Sequence, residues 1–285
     1  MRLCRYDDDR LGLVEGDEIA DVTAVLDLLP AVRWPVPPGD LMIANLDRLR
    51  PAIESLAPGA ARTPLADATL KSPVANPGKI IAAPVNYTAH LEESRADTGI
   101  NFGTHIRTID EYGVFLKAGS SLVGPSEGVV SDWPERRIDH EIELAVVIGK
   151  GGRHIAQADA LAHVAGYCLG LDMSVRGTED RSFRKSRDSF TVLGPWLTTA
   201  DEVPDPGKLD FRLEVNGEVR QKSNTQLLIF GVERLIAYAS AAYTLHPGDV
   251  ILTGTPEGVA PVQPGDVMSC WIDKVGAMDV AVRAP

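Results

Sequence analysis

The sequence predicts a β-rich α+β protein with a small α/β unit at its N-terminal end. Three observations carry this expectation. Short apolar runs rich in β-branched residues recur along the chain, closed by Gly, Pro or Asn-Gly. The best amphipathic helix is a single stretch, 226–243, with Leu228, Val232, Leu235, Ile236 and Ala239 on one stripe. A proline-studded stretch, 64–78, separates a small N-terminal domain, 1–75, from a larger one, 76–285.

In chain order, residues 3–6, 11–15 and 18–22 read as short strands, turned at Asp7-Asp8-Asp9 and Gly16-Asp17. A short helix over 24–29 stops before Pro30. A second, capped by Asp40, runs to about Leu56 with an interruption expected at Pro51. Nothing in this unit suggests chemistry; packing or dimer support is its expected role. The larger domain opens with a strand over 79–84. Asn86 is a plausible N-cap for a helix through Glu93. Residues 94–112 are polar and aperiodic, the pattern of a lid or binding loop. Residues 114–117 and 138–149 read as strands, 156–163 as a short helix and 164–173 as another strand. Residues 176–187 form a polar loop, and a short strand opens at Gly194-Pro195-Trp196. A hairpin turns at Asn216-Gly217, and 250–256 is a strand entering a tight turn. The C-terminal stretch from 266 to 282 is β-rich.

The formal net charge is −12, from 28 basic and 40 acidic residues. Nucleic acid and anionic membrane surfaces call for a basic patch, so neither is the expected partner. A small anionic substrate remains compatible, because a metal and a few cations set a local field. Cys4, Cys168 and Cys270 are far apart and show no Cys-x-x-Cys spacing, which reads as reduced residues and no zinc site. The N-terminal residues lack the apolar run of a signal peptide, and no run has the length of a membrane span, so the expected location is the cytoplasm.

The chemistry centres on the stretch from Ile138 to Gly149. Side chains alternate along a strand, so Glu141 and Glu143 point one way while Ile142, Leu144, Val146 and Ile148 point to a core. Two adjacent like charges call for water, a hydrogen-bond network or a cation. The pair alone admits two readings, a solvated strand end or a site for Mg2+, Mn2+ or Ca2+. Asp172 ends the strand over 164–173. His90 and Glu93 lie i, i+3 on a helix, where a carboxylate can fix the imidazole tautomer and raise its basicity. Lys185 lies in the polar loop.

These strings together resemble the fumarylacetoacetate hydrolase family over about 79–280. The resemblance is carried by Asn86-Tyr87-x-x-His90-x-x-Glu93, by 139–149, by Gly166-Tyr167 with Leu171-Asp172-Met173-Ser174-Val175-Arg176, and by Lys185-Ser186-x-Asp188. Gly194-Pro195-Trp196, Val215-Asn216-Gly217-Glu218 and Thr253-Gly254-Thr255-Pro256-x-Gly258-Val259 complete it, in the family's order and spacing. The resemblance implies a mixed β-sandwich or roll catalytic domain. It implies one Mg2+ or Mn2+ per subunit on Glu141, Glu143 and Asp172, with a His90-Glu93 dyad activating water on a helix that orders around substrate. It implies that Lys185 stabilises an oxyanion and that Thr255, with Gly254 beside it, contacts the substrate; a plain strand-ending turn is the other reading of Thr255. Arg176, Lys117 and Gln221 are further candidates for holding anionic groups. The implied activity is hydrolysis of a C–C bond in a 1,3-diketo acid, an acylpyruvate such as fumarylpyruvate or maleylpyruvate, in aromatic catabolism by a homodimer. An isomerase or decarboxylase of oxo-diacids, such as oxaloacetate or a 2-hydroxyhepta-2,4-diene-1,7-dioate, is the alternative, and a non-catalytic metal-binding scaffold is a third. The chain departs from the family's usual residues before Asn86, at Ala118 and after Arg176, all on the substrate side.

Overall fold

The computed structural model describes residues 1–133 and 135–285. Its frame is a 12-stranded mixed sheet. From one edge its order is Arg62–Pro64, Glu18–Asp21, Arg10–Glu15, Arg2–Tyr6, Thr191–Thr199, Val164–Asp172, Ile142–Ile148, Val250–Leu252, Ile80–Ala82 and Phe115–Lys117. Neighbours are mostly antiparallel; Val250–Leu252 and Ile80–Ala82 run parallel. A 5-stranded sheet holds Glu218–Asn224, Asp210–Val215, Val267–Ile272, Gly276–Arg283 and Val129–Val130.

Alternation along Ile142–Ile148 explains the layering. Ile142, Leu144, Val146 and Ile148 face a core shared with Phe211, Leu213, Met268 and Ile272 of the second sheet and with Leu235 and Ile236 of the helix Val232–Ala242. Ala145 and Val147 face the opposite core, where Leu46, Leu49 and Ile53 of the helix Leu46–Leu56 cover the sheet. The strand is therefore buried on both faces, as its unbroken apolar run requires. Each such aliphatic side chain, fully buried, contributes about 1.5–3 kcal/mol. Residues 1–75 are joined to the rest through this core and through the pairing of Leu3 with Leu197.

Several local expectations change. The interruption before Leu56 lies at Asn45 (φ −116°, ψ 12°), and Pro51 sits inside a continuous helix. Both Pro51 and Asp47, whose carbonyl loses its usual donor, are exposed, where solvent can reach that carbonyl. Part of the supposed linker is paired, Leu70–Lys71 against Arg2–Tyr6. The helix Thr88–Ala96 is capped at Tyr87, not Asn86. Asn86 is committed elsewhere: its Nδ2 donates to Phe230 O (2.9 Å) and Thr253 O (2.8 Å), and its Oδ1 accepts from Phe230 N (2.7 Å). The same tie delays the amphipathic helix, since Ile229 N donates to Asn86 O (2.9 Å) and the helix starts at Val232. The stretch 94–112 carries two short helices, Thr98–Asn101 and Ile109–Tyr112. The strand at Gly194 already begins at Thr191. Among the described residues no helix is long and apolar enough to cross a membrane.

Candidate active site

The acidic stretch is broken where its chemistry begins. Ile138–Asp139 pairs with Ser174–Val175, while Ile142–Ile148 belongs to the large sheet, so Glu141 sits at the bend between two pairings. Asp172 ends its strand beside that bend, and its N–H donates to Glu141 O (2.9 Å). The result gathers Glu141, Glu143 and Asp172 with one oxygen from each within 4.8 Å of the others. Their exposures are 4%, 2% and 2%, which excludes the reading of a solvated strand end.

Buried carboxylates require partners. Lys185 Nζ donates to Glu141 Oε2 (2.6 Å) and Asp172 Oδ2 (2.8 Å). Lys117 Nζ donates to Asp172 Oδ1 and to Phe190 O (2.8 Å). Arg176 bridges Asp139 (2.7 Å) and Glu141 Oε1 (2.9 Å), and Ser174 Oγ adds a bond to the same Oε1 (2.9 Å). Glu143 differs. Its partner is the N–H of Gly254, at 2.6 Å on Oε2, and no cationic side chain pairs with it among the described residues. Burial would raise the pKa of Glu141, but Lys185, Arg176 and His90 outweigh it and hold that carboxylate below its usual range. Burial, Asp172 and Glu141 together push Glu143 well above its usual range. Burial likewise lowers Lys117 against the pull of Asp172.

This donor set fits a hard divalent cation. It offers three buried oxygen ligands, one of which, Glu143, has no cationic side chain paired with it among the described residues and is held protonated until a cation replaces the proton. Softer metals would call for His or Cys ligands, and the three cysteines are buried and free elsewhere.

The dyad stands on the same cleft. His90 Nδ1 lies 2.9 Å from Glu93 Oε2, and Glu93 Oε1 accepts from Gly258 N (2.9 Å). His90 lines the cleft, and its Nε2 lies 3.5 Å from Ser94 Oγ. The geometry depends on two glycines in the left-handed region. A Cβ on Gly254 (φ +97°) would lie 2.7 Å from Asn86 Cβ, and one on Gly258 (φ +92°) 2.1 Å from Arg220 O.

His90, Glu141, Glu143, Asp172, Arg176, Lys185 and Thr255 all line one cleft. Lys185 stands in the last turn of a short helix, Arg181–Lys185, where a loop was expected. Glu93, Lys117, Gly254 and Gln221 lie behind its surface. Gln221 is reassigned from anion holder to support, because its amide is fully used. Its Oε1 accepts from Ile142 N (3.1 Å) and meets His140 Nδ1 (3.0 Å); its Nε2 donates to Thr255 Oγ1 (2.8 Å) and Pro256 O (3.0 Å). Thr255 in turn donates to Ile142 O (2.9 Å). Burial lowers the pKa of His140 and keeps its ring neutral.

The sequence reasoning missed Arg181, Arg184, Phe115, Ser94, Ile100 and Ile106, which also line the cleft. The spacing of Arg181 and Lys185, one helical turn apart, was the available signal. The apolar residues between 94 and 112 carried none, because that stretch has no period of its own.

Residues 79–283 match the model of a family described as fumarylacetoacetate (FAA) hydrolase C-terminal. The chain is 56% identical over 286 residues to a maleylpyruvate hydrolase of Aquipseudomonas alcaligenes, covering 100% of both. It superposes with a TM-score of 0.83, at 46% identity, on a maleylpyruvate hydrolase from Sphingobium sp. SYK-6 in complex with manganese(II) ion and pyruvate, covering 100% of this chain and 99% of that one. It is also 40% identical over 228 residues to a mitochondrial oxaloacetate tautomerase of Homo sapiens, covering 75% of this chain and 69% of that protein.

Proposed function

The chain belongs to the fumarylacetoacetate hydrolase family, and from that premise we propose that it hydrolyses a C–C bond in an acylpyruvate, with maleylpyruvate as lead substrate. The products are pyruvate and a carboxylic acid, in the breakdown of aromatic compounds. The observation that carries the reading is full-length similarity to a maleylpyruvate hydrolase, in a chain whose cleft brings three buried carboxylates together with His90 and Lys185.

Glu141, Glu143 and Asp172 would hold one Mg2+ or Mn2+ ion. That ion supplies Lewis-acid stabilisation of the negative charge that develops on the 2-oxo acid end of the substrate. His90 takes a proton from water at Nε2, because Nδ1 is occupied by Glu93. Glu93 stabilises the imidazolium and is itself fixed by Gly258 N. The hydroxide adds to the distal acyl carbonyl. Lys185 has three N–H donors and two carboxylate acceptors here, leaving one for the oxyanion. Collapse of the oxyanion breaks the C–C bond, giving the carboxylic acid and pyruvate enolate, and the proton on His90 becomes available to the enolate carbon. Thr255 and Arg176 complete the substrate side of the cleft, while Lys117, Gly254 and Gln221 hold its carboxylates and Thr255 in place.

Residues 1–75 form the small unit and 76–285 the catalytic one, a division supported by a family match that starts at residue 79. The protein acts as a cytoplasmic homodimer. Three buried, unbridged cysteines fit a reducing compartment, and Trp271, Val267 and Val219 leave exposed apolar surface on the second sheet for a partner copy.

The test is loss of diketone absorbance with maleylpyruvate in Mn2+, with pyruvate and maleate as products. Similarity to an oxaloacetate tautomerase favours a second reading, chemistry on oxaloacetate without attack by water. No cleavage of any acylpyruvate, alongside tautomerisation or CO2 release from oxaloacetate, would establish that reading instead.

A further inference from the structure

The cations around the cleft divide into two groups. Lys185, Lys117 and Arg176 are spent on Glu141, Asp172 and Asp139. Arg181 and Arg184 are not: among the described residues neither pairs with a carboxylate, yet both line the cleft half-buried. Among the described residues Arg181 has no side-chain hydrogen-bond acceptor. Its guanidinium lies 4.1 Å from the ring centroid of Tyr112 and 5.9 Å from that of Phe115, two aromatic faces that fix its plane and leave its donors free. Arg184 donates through Nε to Glu179 O (2.9 Å) and through Nη1 to Val175 O (3.4 Å), and among the described residues its Nη2 has no acceptor. Burial, followed by repulsion from Arg176 and Arg181, holds Arg184 below its ordinary pKa against the pull of Glu141 and Glu179.

We propose that Arg181, supported by Arg184, is the subsite for a carboxylate at the far end of the acyl group. The enzyme would thereby select acylpyruvates that are diacids over those ending in a neutral group. This rests on the hydrolase reading above. The short helix acts as a ruler. Lys185 stands at the carboxylate cluster, and Arg181 is one turn away on the same face, about 6 Å along the axis. A substrate whose reacting carbonyl meets Lys185 therefore carries a terminal carboxylate toward Arg181 when a short carbon chain links the two groups, as in maleylpyruvate. Ile100, Ile106 and Phe115 line the space that such a hydrocarbon link would cross. A planar guanidinium on an aromatic floor suits two-pronged carboxylate recognition, and in a half-buried cleft that interaction is stronger than on the open surface.

The test compares wild type and Arg181→Ala, both with Mn2+, on maleylpyruvate and on acetylpyruvate, which ends in a methyl group. The expected result is a kcat/KM loss on the order of 10–100-fold larger for maleylpyruvate than for acetylpyruvate. Maleate should inhibit the variant more weakly by a similar factor, pyruvate inhibition should move far less, and Arg181→Lys should recover part of the difference. The thermal midpoint of each variant reports folding, and Arg184→Gln provides a second variant expected to lose selectivity in the same direction. Equal losses on both substrates, or no loss with maleylpyruvate, overturn the arginine subsite while the hydrolase reading stands. A wild type that cleaves neither acylpyruvate overturns both.

Discussion

Glu143 and Arg181 line the same cleft, yet one stands in the middle of a 12-stranded sheet and the other on a helix of 5 residues. Glu143 cannot move without its strand, whose neighbours on both sides are paired and whose two faces are buried. Arg181 is held by stacking on Tyr112, itself part of a second short helix. The acidic wall is thus set by sheet register, and the cationic wall by side chains leaning on one another. Groups that must meet in one geometry for any substrate sit on the first wall. By the proposal above, the groups that distinguish one acyl end from another sit on the second.

The largest expected effect therefore comes from the acidic wall. Glu143→Gln keeps the shape and removes the carboxylate that has no cationic partner. Affinity for Mn2+ should fall more than about 100-fold by calorimetry, and activity should fall to the level that a chelator leaves in wild type. Unchanged affinity would remove Glu143 from the ligand set. Next comes His90→Ala, which should lower kcat by about 100- to 10,000-fold and leave Mn2+ affinity within a few-fold of wild type. A parallel loss of metal would show that the base and the acidic wall are not separate. Glu93→Gln is smaller, on the order of 10–100-fold in kcat, because the amide no longer stabilises the imidazolium but the Gly258 N–H bond survives. A kcat unchanged from wild type would remove Glu93 from the dyad.

The same division governs what the sequence disclosed. Glu143 and Asp172 were legible because strand alternation and a strand end place them without reference to anything distant, whereas Glu141 stands at a bend between two pairings that alternation along one strand did not foresee. The dyad was legible because i, i+3 spacing is local. Asn86 was misread for the opposite reason. Its amide answers to Phe230 and Thr253, far along the chain, so a cap rule had no access to its true partners. Gln221 failed in the same way, since its value lies in joining Ile142 to Thr255 across the fold. Arg176 looked free in a polar stretch, and only the tertiary structure sets Asp139 and Glu141 against it. The β-rich α+β class survived these local errors because layering depends on the sum of many apolar alternations rather than on any one of them.

The smallest expected effect asks whether the acidic wall is under tension without its ion. Burial, Asp172 and Glu141 raise the pKa of Glu143, so the folded chain keeps a proton there that the unfolded chain has released. Between the ordinary glutamate value, about 4.3, and the raised one, the native state binds more protons than the unfolded state, and stability must fall as pH rises. Glu141 works the other way. Its lowered pKa adds stability above the ordinary value and loses it only toward strong acid, outside this window. In chelator, then, Glu143→Gln should melt a few degrees above wild type at neutral pH, and the gap should narrow as the pH is lowered toward 5. Saturating Mn2+ should reverse the order, because the ion takes the place of the proton on Glu143 and binds the native state alone. A gap that does not change with pH would mean that the carboxylate repulsion is already relieved by Lys185 and Lys117, and that the ion is held by geometry rather than by uncompensated charge.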